Sequence, residues 1–495
     1  MSDRHDPLGR YDLCILGAGP AGLAAASRAH DLGKTVALIE PGRPGGVGVA
    51  DGALSSKTLW HLALDFARAR RSDRGYRGGE LEVAWPELLA QVRAACAEAW
   101  AHTERVLAYL ARPSARGGRV DRVVGRGRFV APEVVEVDGA EPRRVTAERF
   151  LLAVGSRPRA LPGVDVDGER IVTSDHIEHL AALPAELAVI GAGVVGCEYA
   201  TIFAGLGRTT VELLDRGARI LPFEDRDVAL AIAASFGRLG VHIHARAQLL
   251  ELAAVGGGVR MRFRQPGPGG EEQIVTRQVE RALLAVGRAP ATDGLGLEHP
   301  GVTLGGGGVV CPATGHCRTS AAHVWAAGDI TADVMLANVA EQEGRHAVED
   351  MFGLAPKPIR YQAQSAIYFF RPEVAAVGLG EQHAAAAGLR YRAGVISHQL
   401  LRRPTAMRAT EGFVKLVAAP DGTLLGLRVV GPQASSCIQG VALLIERGGT
   451  LAELDHCLHP HPAVTEGVQE AARLLLGTSI YKPEAFPGLA HIVEG

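Results

Sequence analysis

The chain lacks any apolar run approaching the roughly 20 residues that a bilayer-crossing helix needs, so no membrane span is expected. The first residues, MSDRHDPLGR, are polar and hold no apolar core of a secretory signal, and a cytoplasmic protein is expected. An excess of charge of one sign is also missing. Fifty-two Lys and Arg stand against 54 Asp and Glu, a net charge of −2, without the basic footprint of a nucleic-acid binder. Cysteine is sparse: the seven residues Cys14, Cys96, Cys197, Cys311, Cys317, Cys437 and Cys457 form no disulfide framework, and odd, scattered thiols fit a reducing compartment. Cys311 and Cys317 are close enough for a redox or metal pair, but two reduced thiols in a hairpin is the favoured reading. No metal site is expected.

What is present is an ordinary globular composition, 47% hydrophobic and 21% charged, in 495 residues. That length exceeds a single core and predicts three or four domain-sized units. Residues 11–16 (YDLCIL) read as a buried strand that runs into Gly17-Ala18-Gly19-Pro20-Ala21-Gly22 and an alanine-rich helix. The next strand ends in Glu40. The same grammar recurs where ELAVI leads into Gly191-Ala192-Gly193-Val194-Val195-Gly196, a helix, and a strand ending in Asp215. A lone GxGxxG is weak evidence. Two copies, each after a strand, before a helix and with an acid at the next strand tip, predict two dinucleotide sites. In each, the first glycine makes the tight turn, the second admits the pyrophosphate, and the third lets helix and strand pack closely, with the helix N-terminus facing the phosphates. Glu40 is expected to accept hydrogen bonds from a ribose.

Between the two units, residues 54–112 read as helix and 118–150 as short strands. Residues 243–288 are strand-rich and close on LLAVGRAP, which echoes LLAVGSRP at 151–158; Gly287 and Gly155 in these twin segments are candidate cofactor contacts. Gly/Pro stretches at 265–270 and 304–308 read as hairpin loops flanked by strands. The run Val324-Trp325-Ala326-Ala327-Gly328-Asp329 reads as a buried strand ending in Gly-Asp. From about residue 356, strands and amphipathic helices without a glycine fingerprint mark a separate domain.

These motifs, in this order and over nearly the whole length, resemble the class I pyridine nucleotide–disulfide oxidoreductases, the family of lipoamide dehydrogenase, glutathione reductase, mercuric reductase and the soluble transhydrogenases. The resemblance implies that GAGPAG and AAGD, with Gly328 and Asp329 on the ribitol chain, bind FAD. It implies that GAGVVGCE binds NAD(P)H, and that AIYFFRPEVAAVGLGE and HPHPAVTE belong to a dimerisation module. The expected fold is therefore α/β: two Rossmann-like domains for FAD and NAD(P) plus a C-terminal α+β dimerisation domain. The expected boundaries are 1–155 and 286–355 for the FAD and central parts, 156–285 for NAD(P), and 356–495 for the interface. The segments TSDH, GAGVVGCEYATIFA and ILPFED are closest to soluble transhydrogenases and to cysteine-depleted, quinone-reducing relatives. A homodimer with active sites between subunits follows from the same resemblance.

The chain departs from the family where its chemistry is concentrated. The family pattern GGxCxxxGCxPSK appears as GGVGVADGALSSK over Gly45–Lys57, with Gly48 and Ala53 at the two cysteine positions. Thiol–disulfide exchange needs a thiolate, so dithiol chemistry by the family mechanism is excluded. Lys57 and Glu198 are retained, and the resemblance implies that they pair beside the flavin N5 edge, where a cation stabilises developing negative charge. His461 and Glu466 match the family's acid–base pair. With no thiol to protonate, His461 serves either another acceptor or the dimer contact. Val194 stands where the family often carries a gating bulk, which leaves the pocket over the flavin more open. Asp215 favours a free 2′-hydroxyl, hence NADH, while Arg216 and Arg219 could reverse that preference.

The expected activity is hydride transfer from NAD(P)H to FAD and then directly to a small, quinone-like acceptor. A soluble transhydrogenase cycle and a catalytically silent flavin-binding subunit are the alternatives. The intact Lys57, Glu198, His461 and Glu466 argue against the silent subunit, since a dead scaffold has no need of them, and bleaching of the flavin by NADH discriminates it.

Overall fold

The computed structural model describes residues 10–49, 52–75, 81–138, 142–267, 269–311 and 315–495. The polar N-terminal stretch through residue 9, and Ala50 and Asp51 of the Gly45–Lys57 segment, lie outside the described residues.

The chain opens with β1 (Tyr11–Leu16), α1 (Pro20–Asp31), β2 (Thr35–Glu40), α2 (Ala53–Ala69), α3 (Trp85–Leu110), β3 (Arg119–Val124), β4 (Arg126–Ala131), β5 (Val134–Asp138) and β6 (Arg143–Leu152). Strand β1 pairs in parallel with β2 and β6, and β2 with β3. Leu13, Cys14 and Ile15 are fully buried, as a strand covered on both faces requires. Strands β4 and β5 extend β6 as an antiparallel meander.

The second unit follows β7 (Ser156–Pro158). It comprises β8 (Ile171–Thr173), β9 (Glu186–Ile190), α4 (Val194–Gly205), β10 (Thr210–Leu214), α5 (Arg226–Arg238), β11 (His242–His244), the antiparallel trio β12 (Gln248–Val255), β13 (Gly258–Pro266) and β14 (Glu272–Val279), and β15 (Arg281–Leu284). Its parallel sheet runs β11-β10-β9-β15-β8. Helix α4 is apolar nearly all round, and from Gly196 to Gly205 every residue is buried. It packs with Trp60, Trp85 and Leu89 of the first unit and Phe370 and Val430 of the last in one core, so the three units share a hydrophobic junction.

The chain returns through β16 (Arg288–Pro290), antiparallel to β7, and adds β17 (Val324–Ala326) in parallel beside β6. Helix α6 (Ala337–Met351) then packs on α1 so closely that a Cβ at Gly344 would lie 2.2 Å from the Ala21 carbonyl oxygen. The C-terminal unit is a six-stranded antiparallel sheet in the order 365–368, 374–378, 424–430, 413–418, 392–397, 490–494. The amphipathic helix Glu466–Leu476 lies against it, with Val468, Ala471, Ala472 and Leu475 in the same core as Val414 and Leu416.

A buried polar joint ties the second unit to the last. Lys415, with 0% exposure, donates to Asp225 (2.7 Å), Asp227 (2.6 Å) and Glu381 (2.6 Å). Arg428 donates to Glu224 at 2.9 Å. The three carboxylates are the one grouping among the described residues that could hold a metal ion, and the Lys415 ammonium sits among them. Buried charges of this kind are tolerated only when paired.

Two sequence expectations need correction. The 304–308 stretch is not flanked by strands: Leu304 and Val309 form a single isolated bridge, closed by Gly305 N donating to Gly308 O at 2.9 Å. Cys317 is not on a projecting hairpin. It is 4% exposed within the core that holds α1 and α6.

Candidate active site

The two fingerprints are geometric copies. Gly17 has φ +102 and Gly191 φ +107, conformations that glycine adopts without strain. A Cβ at Gly22 would lie 1.9 Å from the Gly17 oxygen, and one at Gly196 1.9 Å from the Gly191 oxygen. Gly19 and Gly193, by contrast, have open space where a Cβ would point, room for a diphosphate against the backbone. Each is the N-cap of its helix, with no side chain capping it, so the first free N–H groups of α1 (from Ala21, Pro20 at the first position having none to leave unsatisfied) and of α4 (from Val194) face that space.

The strand-tip acids brace these loops. Glu40 accepts from Ala18 N (2.8 Å) and Gly42 N (3.0 Å); Asp215 accepts from Ala192 N (2.7 Å) and Gly217 N (2.6 Å). Each carboxylate retains acceptor capacity for a ribose hydroxyl. Arg219 is engaged elsewhere, donating to the carbonyls of Leu221, Pro222 and Glu224.

Gly328 (φ +77) stands two residues past β17, and Asp329 follows it, hydrogen-bonded to Ser156 (2.5 Å), which in turn accepts from Arg288 (2.6 Å). Gly155 and Gly287 flank this contact at the β7–β16 crossover, where Gly155 O accepts from Ala291 N and Gly287 O from Arg159 N. Sequence reasoning missed Glu343 of α6. This buried carboxylate accepts from Gly328 N (2.6 Å) and the Tyr361 hydroxyl (2.7 Å), and burial raises its pKa. The signal available was an acid in a helix segment otherwise turned inward.

Lys57 of α2 and Glu198 of α4 meet as expected, Nζ to Oε2 at 2.8 Å. Glu198 is 4% exposed, and its second oxygen accepts from the Phe369 amide at 3.0 Å. Lys57 Nζ also lies 5.2 Å from the centroid of the Phe369 ring. In the C-terminal unit, His461 Nδ1 is 2.7 Å from Glu466 Oε1, and Glu466 Oε2 accepts from Ala463 N. The His461 side chain is two-thirds exposed, left open by the described residues of the single chain.

No cysteine stands in the Gly45–Lys57 loop. A Cβ at Gly48 would lie 2.9 Å from Pro20 Cγ, so the loop is drawn in towards the first fingerprint. All seven thiols are free. Burial pushes those of Cys14, Cys197 and Cys317 well up and those of Cys311 and Cys437 up to about 12, which suppresses the reactive thiolate. Cys457 is exposed, with its carbonyl accepting from Gln469. Cys96, on α3, donates to the Val49 carbonyl of that segment at 3.2 Å.

The steric contacts yield a paired expectation. Gly22→Val should abolish the FAD absorbance of the purified protein. Gly196→Val should retain about one FAD per chain that neither NADH nor NADPH bleaches. A fully yellow Gly22→Val protein would contradict the assignment of the first site.

The family model for pyridine nucleotide-disulphide oxidoreductase matches residues 11–344, and that family's dimerisation domain matches 364–472. The chain is 31% identical over 467 residues to dihydrolipoyl dehydrogenase 3 of Haloarcula marismortui, covering 93% of this chain and 96% of that one. It is 33% identical to dihydrolipoyl dehydrogenase 3 of Pseudomonas putida, over 93% and 97% of the two chains. Among solved structures, LpdA from Mycobacterium tuberculosis superposes with a TM-score of 0.83 at 31% identity, covering 94% of this chain and 99% of that one. The HOCl-induced flavoprotein disulfide reductase RclA from Escherichia coli superposes at 0.81 with 22% identity, over 94% and 100%, a likeness of fold. No helix among the described residues is long and apolar enough to cross a membrane. Two nucleotide cradles, a dimerisation domain and full-length likeness agree: the chain is an FAD-dependent NAD(P)H oxidoreductase that belongs to the pyridine nucleotide-disulphide oxidoreductase family.

Proposed function

We propose that this enzyme works without a redox disulfide, passing two electrons from NAD(P)H through FAD directly to a small, quinone-like electrophile. The observation that carries the reading is selective loss. The two cysteine positions hold Gly48 and Ala53, while the Lys57–Glu198 and His461–Glu466 pairs stand assembled at 2.8 and 2.7 Å.

FAD, which the Gly17–Gly22 cradle with Gly328 and Asp329 would hold, would supply the two-electron redox chemistry between donor and acceptor. The protein supplies position and charge. The glycine cradles and helix N-termini hold the two diphosphates, and Asp329 and Glu343 fix the turn after β17. Lys57, oriented by Glu198, places a cation at the edge where negative charge develops. Glu466 holds His461 through Nδ1, leaving Nε2 to give a proton to the acceptor of the partner subunit's site in a homodimer. Asp215, with Arg219 engaged by loop carbonyls, supports NADH as the donor.

The test is anaerobic reduction with NADH or NADPH, then reoxidation by a panel of quinones, nicotinamide analogues and disulfides. Rapid reoxidation by quinones with inert disulfides is expected. Reoxidation by nicotinamide analogues alone would favour a transhydrogenase, and absence of flavin bleaching by either donor would indicate a silent subunit.

A further inference from the structure

The Lys57–Glu198 pair is assembled by two helices, but a third element completes it. Glu198 accepts Lys57 on one oxygen and the Phe369 amide on the other. Phe369 belongs to the C-terminal unit, just past the strand Ser365–Tyr368 at the edge of its sheet. This short segment is fastened on every side. The Tyr368 hydroxyl donates to Glu224 at 3.1 Å, and Glu224 is itself held by Arg428. The Trp60 indole donates to Phe370 O at 3.2 Å, and Ser235 Oγ to Arg371 O at 2.5 Å. Trp60 comes from α2, three residues after Lys57, and Ser235 from α5 of the NAD(P) unit. The Trp60 ring also meets Phe369 edge-on at 5.2 Å. Residues 368–371 are thus pinned by both nucleotide-binding units, and the amide they present falls on the one oxygen of Glu198 that Lys57 does not use.

We propose that residues 368–371 form a strap that positions Glu198, and through it Lys57, with Tyr368, Trp60 and Ser235 as its positioning residues. The strap makes the C-terminal unit a part of the hydride-accepting half of the site within its own chain, besides any role at a subunit interface. The local physics favours it. A carboxylate with a single partner swings about that contact, whereas one held by an ammonium and a fixed amide keeps both oxygens in place. This inference rests on the reading that Lys57 and Glu198 act in flavin reduction.

The test is a double-mutant cycle on the complete FAD-loaded enzyme, read as the single-turnover rate of flavin reduction by NADH under anaerobic conditions. Tyr368→Phe and Ser235→Ala each remove one hydroxyl with little change of volume. Each is expected to slow flavin reduction by about 3–10-fold, the scale of one lost hydrogen bond. In a Glu198→Gln background, itself slower than the parent, Tyr368→Phe is expected to add nothing, because both changes act through one carboxylate. A merely structural role would instead give multiplicative effects. Reduction at the parental rate in both single variants, or full multiplication with Glu198→Gln, overturns the strap while leaving the ion pair's role intact. Glu198→Gln at the parental rate overturns the role of the pair, and the strap with it.

Discussion

His461→Ala is expected to slow reoxidation of the reduced enzyme by a quinone by about 10²–10⁴-fold, while flavin reduction by NADH stays nearly intact. The asymmetry follows from where the side chain sits. His461, on the C-terminal unit, is held by Glu466 and is two-thirds exposed. The C-terminal unit also carries exposed apolar side chains: Leu458 is fully exposed, Ile480 72% and Leu443 57% exposed. Apolar surface of that kind, on a unit that matches the family's dimerisation domain, supports a homodimer in which this face is covered. On the proposal that His461 reaches the acceptor from a partner subunit, its loss is felt in the oxidative half-reaction. The effect should shrink with one-electron acceptors, which need no proton from the protein in the slow step. Equal activity of the variant with every acceptor would make His461 a structural residue of the interface.

The second large effect lies in the other half-reaction. Lys57→Met should slow flavin reduction by NADH by about 10²-fold, the scale for removing one preorganised charge-stabilising group. The ammonium is 2.8 Å from a carboxylate that is almost wholly buried, so its position is fixed before the donor arrives. Methionine keeps the length of the stem and removes only the charge. It also leaves Glu198 buried with the Phe369 amide as its partner, so a loss of thermal stability should accompany the loss of rate. Stopped-flow reduction and a thermal melt separate the two. Lys57→Met reduced at the parental rate would remove the lysine from the chemistry.

The parts of the site written in side chains at fixed spacing were legible in the sequence. Gly17, Gly22, Gly191 and Gly196 are required by contacts under 2 Å or by positive φ, and such positions leave a regular trace. Glu40, Asp215, Lys57, Glu198, His461 and Glu466 fall where the motifs put them. What escaped depends on backbone or on distant pairing. The Phe369 amide belongs to no residue type, and nothing in FFRP marks which N–H is used. Glu343 and the Lys415 joint are buried charges whose partners lie far off in sequence, so no local period betrays them. Cys317 was misplaced for a related reason: its closeness in sequence to Cys311 does not show that it packs under α6, where its thiol meets the Glu343 carbonyl.

The central claim is that no dithiol takes part, and an anaerobic dithionite titration tests it most directly. Ala53 can neither accept electrons nor donate charge to a flavin, and Cys96, whose thiol meets the Gly45–Lys57 segment at Val49, is buried and hydrogen-bonded there. The flavin band should therefore bleach completely at two electrons per FAD, with no long-wavelength thiolate band at any point. An end point near four electrons per FAD, or such a band at the halfway stage, would contradict the account.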